Sequence, residues 1–267
     1  MSHLKAAWAK ASANSIGLLA AGVAHYAFLA VVPLIGAIVL SYGLIFDQAT
    51  VAEHGRRIAE TLPAAASELV VGQLERLVED RDEETAIGFV IALALALFGA
   101  RVAAGAVITA FNIAFDARES RGLVKANLVA LLITLGAVIG IGAVGAASAF
   151  AAGAFEGAAG SIAVFLLVGL VGAGGAAAGY RVVPNVDDVG GRASLGGGLL
   201  FAIGWMLASA GLGFYAANFA NYDATYGSLG AIVVFLTWLY LSAYLLLMGA
   251  HLAATIAERD RVDIDPR

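Results

Sequence analysis

Long apolar runs separated by short polar segments dominate the chain. Residues 15–46 contain no Asp, Glu, Lys or Arg, and five later stretches are nearly as apolar. A helix needs roughly 20 apolar residues to cross a hydrocarbon core of about 30 Å, and every run is long enough. The pattern therefore predicts an all-α polytopic membrane protein with six transmembrane helices, at about 15–46, 86–112, 125–151, 161–182, 194–219 and 228–256.

Composition supports a membrane environment for the whole chain. Hydrophobic residues make up 61% of the 267 positions and charged residues 13%, against about 45–50% and 25% in soluble domains. We expect a single integral membrane domain over residues 1–267. The chain has no cysteine, which excludes disulfides, thiolate catalysis and cysteine metal ligands.

The distribution of Lys and Arg predicts the orientation. If the N-terminus is cytoplasmic, the inner side receives ten of these cations and the outer side only the four arginines of loop 47–85. Cytoplasmic loops carry an excess of positive charge. The sequence therefore predicts that both termini are cytoplasmic.

The long outer loop, residues 47–85, is acidic but patterned. It holds ten acidic residues and four arginines, and its apolar residues recur at helical spacing, as at Leu69, Leu74 and Leu77. This spacing predicts two amphipathic helices across the outer mouth of the bundle. They form either a lid or a cap that only closes the bundle.

Arg101 and His25 are ionisable side chains that lie well inside predicted spans. Arg101 lies near the middle of the second span, where a charge usually faces a cavity or a partner. Arg101 is either an anion-binding or gating residue in a cavity, or a structural residue. A structural arginine extends its side chain to the membrane interface or bonds to backbone carbonyls. His25 precedes Pro33 in the first span; it either carries protons beside a proline break or is a hydrogen-bonded packing residue.

A third polar group joins the fifth and sixth spans. The segment 218–227 contains two asparagines, one aspartate and two tyrosines, which exceeds what an interfacial aromatic belt requires. These groups either cap helix ends or line an outer entrance. They are Asn218, Asn221, Tyr222, Asp223 and Tyr226.

Signatures of enzymes and nucleic-acid binding are missing from the sequence. The four histidines form no HExxH or other paired metal motif, and neither G-x-S-x-G nor a phosphate-binding loop occurs. The net charge of −5 also disfavours a nucleic-acid partner. We expect no cofactor and no metal.

Several motifs together resemble the YihY/BrkB family of membrane proteins. They lie in residues 20–33, in YRVVPN at 180–185, and in the block 213–250, and Asn112 and Arg121 also fit the family pattern. The resemblance covers nearly the whole chain. It implies a multi-pass plasma (inner) membrane protein of six helices linked with envelope integrity, and it implies no settled activity.

The chain departs from that pattern in two places. His251 stands where the family often has a glutamate, and Ala30 and Val31 occupy a region where a serine is common. If the glutamate matters for function, this member differs in substrate or coupling. Some members carry a ribonuclease BN label, but the zinc-hydrolase run HxHxDH is absent here.

Three functional hypotheses follow. The first is transport or translocation of an anionic lipid or amphipathic solute, the second is a non-transporting envelope scaffold, and the third, least favoured, is a membrane enzyme. Expected partners are membrane lipids and a small anionic or amphipathic ligand, and the apolar surface permits a homo-oligomer. The substrate-binding or gating candidates are Arg101, His25, Tyr26, Pro33, Asn112, Asn218, Asn221, Tyr222, Asp223 and Tyr226.

Overall fold

The structure, a computed structural model, describes residues 3–45, 83–154, 157–219 and 228–264. Within these ranges the regular elements are helices, without a strand. They are α1 (His3–Ala13), α2 (Ile16–Ile45), α3 (Glu83–Ala114), α4 (Leu123–Ala154), α5 (Gly157–Val182), α6 (Gly191–Phe219) and α7 (Ser228–Ile264). The all-α prediction is confirmed.

The predicted spans coincide with observed helices. The first matches α2 to within a residue at each end, and the other five lie inside α3 to α7. Among the described residues, four segments are long and apolar enough to cross a membrane. α1 and the start of α2 form a bent pair, which makes a fifth if the pair is counted as one span. In α4 the apolar segment Val124–Gly136 is shorter than a full span. The protein is thus a polytopic membrane protein, whereas six spans and cytoplasmic termini stay predictions.

A sharp bend separates α1 from α2. The two axes differ by 71°, and Ser15 at the junction has a φ of 53°, a conformation uncommon for a residue with a Cβ. The Ser15 carbonyl accepts the N–H groups of Leu18 at 2.9 Å and Leu19 at 3.2 Å. The new helix therefore starts at the bend, and it continues through Pro33.

The chain divides into two compact units, residues 1–26 with 101–267, and residues 27–100. In the first, α6 packs against both α5 and α7, α4 packs against α5, and α1 packs against α7. In the second, a Cβ on Gly99 would lie 2.9 Å from the Cα of Ala30, so α2 and α3 touch there through backbone. The predicted single domain over 1–267 stays a prediction.

Small residues form most of the core of the first unit. Many of its buried positions are alanines, and its largest fully buried side chains are Tyr180, Leu247, His251 and Ser194. A Cβ on Gly249 of α7 would lie 2.6 Å from the carbonyl oxygen of Gly197 on α6. Such close approach is the usual way in which membrane helices associate.

The outer surfaces of the long helices are apolar. Large exposed side chains recur along α4, α5 and α6, including Leu128, Leu132, Leu166, Leu170, Leu199, Ile203 and Leu207. An apolar surface of this extent needs a non-aqueous partner. Lipid tails supply one, in agreement with the spans.

The predicted amphipathic helices of the outer loop lie almost entirely in residues 46–82, outside the described residues. Only the end of that loop is described, and it belongs to the first turn of α3, which begins at Glu83. The lid and cap interpretations both stay predictions.

Candidate functional site

Arg101 lies inside the candidate span Val90–Ala114 of α3. It precedes the end of α3 by 13 residues, about 20 Å at 1.5 Å per residue. Its Nε donates to Oδ1 of Asn127 on α4 at 2.8 Å. The part of α3 in the first unit thus shares a polar contact with α4. A charge inside a span that crosses the membrane is costly without such a partner.

The guanidinium of Arg101 lies beside the next turn of its own helix. Its Nη1 is 3.2 Å from the position that a Cβ on Gly105 would take. Glycine at 105 therefore leaves room for the guanidinium to extend toward the C-terminal end of α3. The side chain is exposed, and Asn127 occupies one of the five N–H donors of the guanidinium.

His25 and Tyr26 are neighbours on the surface of α2. Both side chains are exposed, and their rings meet edge to face with centroids 5.7 Å apart. Pro33, further along α2, is partly buried. The roles predicted for these three residues stay predictions.

Asn112, near the end of α3, lies in a buried position with both atoms of its side-chain amide engaged. Its Nδ2 donates to Oε2 of Glu119 at 2.9 Å, and its Oδ1 accepts the backbone N–H of Asn185 at 2.8 Å. Its exposed fraction is 4%. Asn112 thus connects the segment after α3 to the segment after α5, and its predicted role toward a ligand stays a prediction.

Glu119 and Arg121 form a two-pronged ion pair in the same place. The Arg121 Nε donates to Oε1 at 2.7 Å and its Nη2 to Oε2 at 2.6 Å. Nη2 also donates to the carbonyl oxygen of Val183 at 3.0 Å. Hydrogen bonding from Arg121, above all, lowers the pKa of Glu119 to about 2.

Asn185 completes this set of contacts. Its Nδ2 lies 2.8 Å from both the carbonyl oxygen of Arg118 and the Oγ of Ser120. We call Asn112, Glu119, Ser120, Arg121 and Asn185 the loop network. It ties two interhelical segments together through charge-assisted hydrogen bonds, which are stronger than neutral ones.

His251 on α7 is fully buried, with 0% of its side chain exposed. Its Nδ1 lies 2.8 Å from the carbonyl oxygen of Leu247. Its Nε2 lies 3.3 Å from Nδ2 of Asn14, and that same amide nitrogen lies 3.4 Å from the Ile113 carbonyl oxygen. A carbonyl needs a donor and an amide nitrogen needs an acceptor, so these contacts fit a neutral imidazole protonated on Nδ1.

Lys10 adds a charged contact at the same junction. Its Nζ lies 2.7 Å from Asp116, which follows α3, and it also pairs with Glu258 of α7. Together with Asn14, it fastens α1 to the ends of α3 and α7. The apolar pattern of the sequence predicted neither α1 nor this junction, although Ala7 and Ala11 at helical spacing carry the signal of a buried face.

The remaining sequence candidates belong to the segment between α6 and α7. Asn218 lies within α6 but its side chain is not described, and residues 220–227 lie outside the described residues. The roles predicted for the candidates of this segment stay predictions; these are Asn218, Asn221, Tyr222, Asp223 and Tyr226. Among the described residues no group of three or more His, Asp or Glu side chains could hold a metal ion.

Known proteins resemble the chain over most of its length. A ribonuclease-like protein, YfkH, of Bacillus subtilis (strain 168) is 29% identical over 220 residues, which cover 77% of this chain and 78% of that protein. The UPF0761 membrane protein NT05HA_1801 of Aggregatibacter aphrophilus (strain NJ8700) is 27% identical over 263 residues, 94% of this chain and 90% of that protein.

Other relatives match a shorter part more closely. The UPF0761 membrane protein Nmul_A0452 of Nitrosospira multiformis is 41% identical over 80 residues, 30% of this chain and 18% of that protein. No solved structure matches. The sequence pattern of Virulence factor BrkB matches residues 7–267. The chain therefore belongs to the Virulence factor BrkB family of membrane proteins.

Proposed function

We propose that the chain is a plasma-membrane transporter or translocator of an anionic lipid or another amphipathic anion, and that Arg101 contacts the negative group. The observation that carries this proposal is the exposed guanidinium of Arg101 inside a candidate span, bonded to Asn127 of the next helix. Ionisable residues within a membrane commonly mark substrate or ion pathways.

The geometry of Arg101 suits a phosphate or carboxylate. The guanidinium is a planar fork whose parallel N–H groups bind such anions with two bonds. The Nε contact with Asn127 fixes the plane of the fork. Glycine at 105 leaves room for Nη1, which lies 3.2 Å from the position that a Cβ would take there.

Catalysis is not needed for this role. The net charge of −5 opposes binding of a polyanionic nucleic acid. The ribonuclease-like name of YfkH describes that protein. We therefore propose that this chain acts on a ligand by binding and movement alone.

Native mass spectrometry combined with a lipid-flux assay tests the proposal. The wild type, Arg101→Ala and Arg101→Lys are compared for retained anionic ligands, and then for movement of a fluorescent phosphatidylglycerol across proteoliposomes. Arg181→Ala removes the same charge from an exposed site at the end of α5 and is the matched control. We expect Arg101→Ala to lose both ligand and flux, Arg101→Lys to lose most of both, and Arg181→Ala to keep them.

Wild-type flux no faster than that of protein-free vesicles would reject translocation of this lipid class. Equal ligand retention by the wild type and Arg101→Ala would reject Arg101 as the contact. Size-exclusion profiles and melting temperatures of all four proteins separate a binding defect from misfolding.

A second candidate, an envelope scaffold without transport, is favoured by the loop network. In this network Glu119 accepts hydrogen bonds from Asn112 and Arg121. Arg121 also donates to the Val183 carbonyl oxygen and so connects the segment after α3 to the segment after α5. Such a network rigidifies a structure. The scaffold hypothesis predicts full biological activity in Arg101→Ala, whereas the transport hypothesis predicts loss of activity in that variant.

A further inference from the structure

The N-terminal helix α1 has three distinct faces. Ala7 and Ala11, 0% and 1% exposed, form the face that packs on α7. Leu4 and Trp8, four residues apart, form a neighbouring stripe. Beyond that stripe lie the exposed side chains of Lys5 and Ser12.

The stripe of Leu4 and Trp8 is apolar and uncovered. Their exposed fractions are 52% and 57%. The other two tryptophans are partly buried and donate to serine hydroxyls of the neighbouring helix. A large aromatic and a leucine side by side on an eleven-residue helix indicate a contact with something outside this chain.

The direction of α1 points to the membrane surface. It meets α2 at 71°, and membrane-crossing helices tilt on average about 20° from the bilayer normal. A helix that leads into such a span at this angle runs closer to the membrane plane than to its normal. Lys10 and Asn14 fix this direction through Asp116, Glu258 and His251.

The start of α2, just past the bend, also carries exposed apolar surface. Leu18, three residues past the bend, is 76% exposed and belongs to the apolar helix α2. We propose that α1 is an interfacial helix that inserts Leu4 and Trp8 at the boundary between lipid headgroups and acyl chains, with Lys5 at the level of the phosphates. Tryptophan and lysine both favour this zone, and lysine near the surface gains from anionic lipid.

The order of the residues around α1 is what such a helix requires. One face binds protein, the next binds acyl chains and the third faces headgroups and water. A second protein on the same stripe would have to cover Leu4 and Trp8 while the start of α2 remains in lipid. The exposed apolar start of α2 and the direction of α1 together favour lipid as the occupant.

Site-directed spin labelling tests the proposal, because the chain has no cysteine of its own. Single cysteines replace Leu4, Trp8, Ala9 and Ser12, and the full chain is placed in nanodiscs of phosphatidylcholine and phosphatidylglycerol at about three to one, which supplies the anionic lipid that lysine favours. All four positions are exposed, so the labels are not expected to disturb the core. Collision rates with molecular oxygen and with a water-soluble nickel chelate are then compared.

We expect the labels at positions 4 and 8 to collide often with oxygen and several-fold less with nickel than the labels at Ala9 and Ser12. Nickel collision that is equally high at all four positions would place α1 in water and overturn the proposal. Immobile labels at 4 and 8 that neither reagent reaches would mean that protein covers the stripe, and would also overturn it. Melting temperatures confirm that each labelled protein is folded.

Insertion of α1 and transport are independent of each other. The first depends on α1 alone, whereas the proposed function depends on Arg101. A label series that supports the interfacial helix would stand even if Arg101→Ala retains full flux, and the converse also holds.

Discussion

Trp205 and Trp238 lie on neighbouring helices with ring centroids 6.0 Å apart, and each donates its indole N–H to a serine on the other's helix. Trp205 of α6 donates to Ser242 at 2.9 Å. Trp238 of α7 donates to Ser209 at 3.1 Å. The two bonds clasp α6 to α7 within candidate spans, where water does not compete for the polar groups.

The reciprocal bonds predict a specific pattern of energetic coupling. In a double-mutant cycle, Trp238→Phe and Ser209→Ala should be non-additive by about 0.6 kcal/mol, the average coupling of membrane hydrogen bonds, and by no more than about 1.7 kcal/mol, their maximum. Reversible unfolding in mild detergent measures the free energies. Trp238→Phe with Ser120→Ala is the control, because Ser120 lies in the loop network, where it bonds Asn185, and shares no partner with Trp238. Equal coupling in both cycles would contradict the assigned pairs.

The close contact of α6 and α7 predicts which glycines tolerate alanine. A Cβ on Gly249 would lie 2.6 Å from the Gly197 carbonyl oxygen and would also collide with the Tyr180 hydroxyl. Neither backbone can move without separating the helices. We expect Gly249→Ala to destabilise the protein by about 1–3 kcal/mol, the usual effect of overpacking.

Gly211 on α6 provides the matched control, since a Cβ there would meet no atom within 4 Å. Gly211→Ala should be neutral or slightly stabilising, because alanine has the higher helix propensity. Thermal unfolding of both variants in the same detergent measures the difference. Similar melting temperatures would show that α6 and α7 do not touch at Gly249.

The apolar pattern predicted most of the helices because the length of a membrane-crossing apolar run is set by the thickness of the hydrocarbon core. The first predicted span began at residue 15 and α2 begins at Ile16. The same reasoning missed α1, since eleven residues with Lys5 and Lys10 are too short and polar for a span. Its stability comes from packing on α7, which no local pattern reports.

Site residues were harder to predict than helices because burial and partners depend on tertiary contacts. Asn112 was a candidate through family resemblance, and its amide proves to be bonded to Glu119 and Asn185. Arg101 stood out as a charge in a span, but Asn127, its hydrogen-bond partner, lies 26 residues away along the chain. A sequence reports that a charge within a span needs a partner without naming it.

The Glu119–Arg121 pair predicts a dependence of stability on pH. Hydrogen bonds from Arg121 lower the pKa of Glu119 from 4.5 to about 2. A lowered pKa means that the pair stabilises the folded protein above about pH 4.5, and that this contribution disappears as the pH falls from there toward 2. The Glu119 side chain is 35% exposed, so solvent screening keeps the effect small.

Melting temperatures of the wild type and Glu119→Gln between about pH 7 and pH 2.5 test this dependence. We expect the wild type to melt higher at neutral pH, and the gap to narrow steadily below about pH 4.5. Asp187→Asn, which neutralises an exposed carboxylate on the segment after α5, controls for the change in net charge. If the difference in melting temperature between the wild type and Glu119→Gln is the same at every pH, ionisation of Glu119 does not contribute to stability.

The contact between His251 and Asn14 predicts that the imidazole helps to hold α1 against α7. The imidazole bonds Asn14 at the end of α1, and Asn14 in turn reaches the Ile113 carbonyl oxygen. His251→Leu keeps an apolar side chain in the buried space but leaves the Asn14 amide without its acceptor on α7. Asn14 keeps its contact with the Ile113 carbonyl oxygen, so the loss is that of one hydrogen bond, about 0.5–1.5 kcal/mol. We therefore expect α1 to detach more often in this variant.

Hydrogen exchange of the amides in His3–Ala13 measures that detachment. Exchange should be faster by about two- to tenfold in His251→Leu, since about 1.4 kcal/mol corresponds to a factor of ten in an equilibrium constant. Thr255→Val is the control, because Thr255 is buried on the same helix and bonds the His251 carbonyl oxygen within α7 rather than α1. Faster exchange in both variants would assign the effect to α7 itself. Unchanged exchange in His251→Leu would mean that Lys10, through Asp116 and Glu258, holds α1 without help from the imidazole.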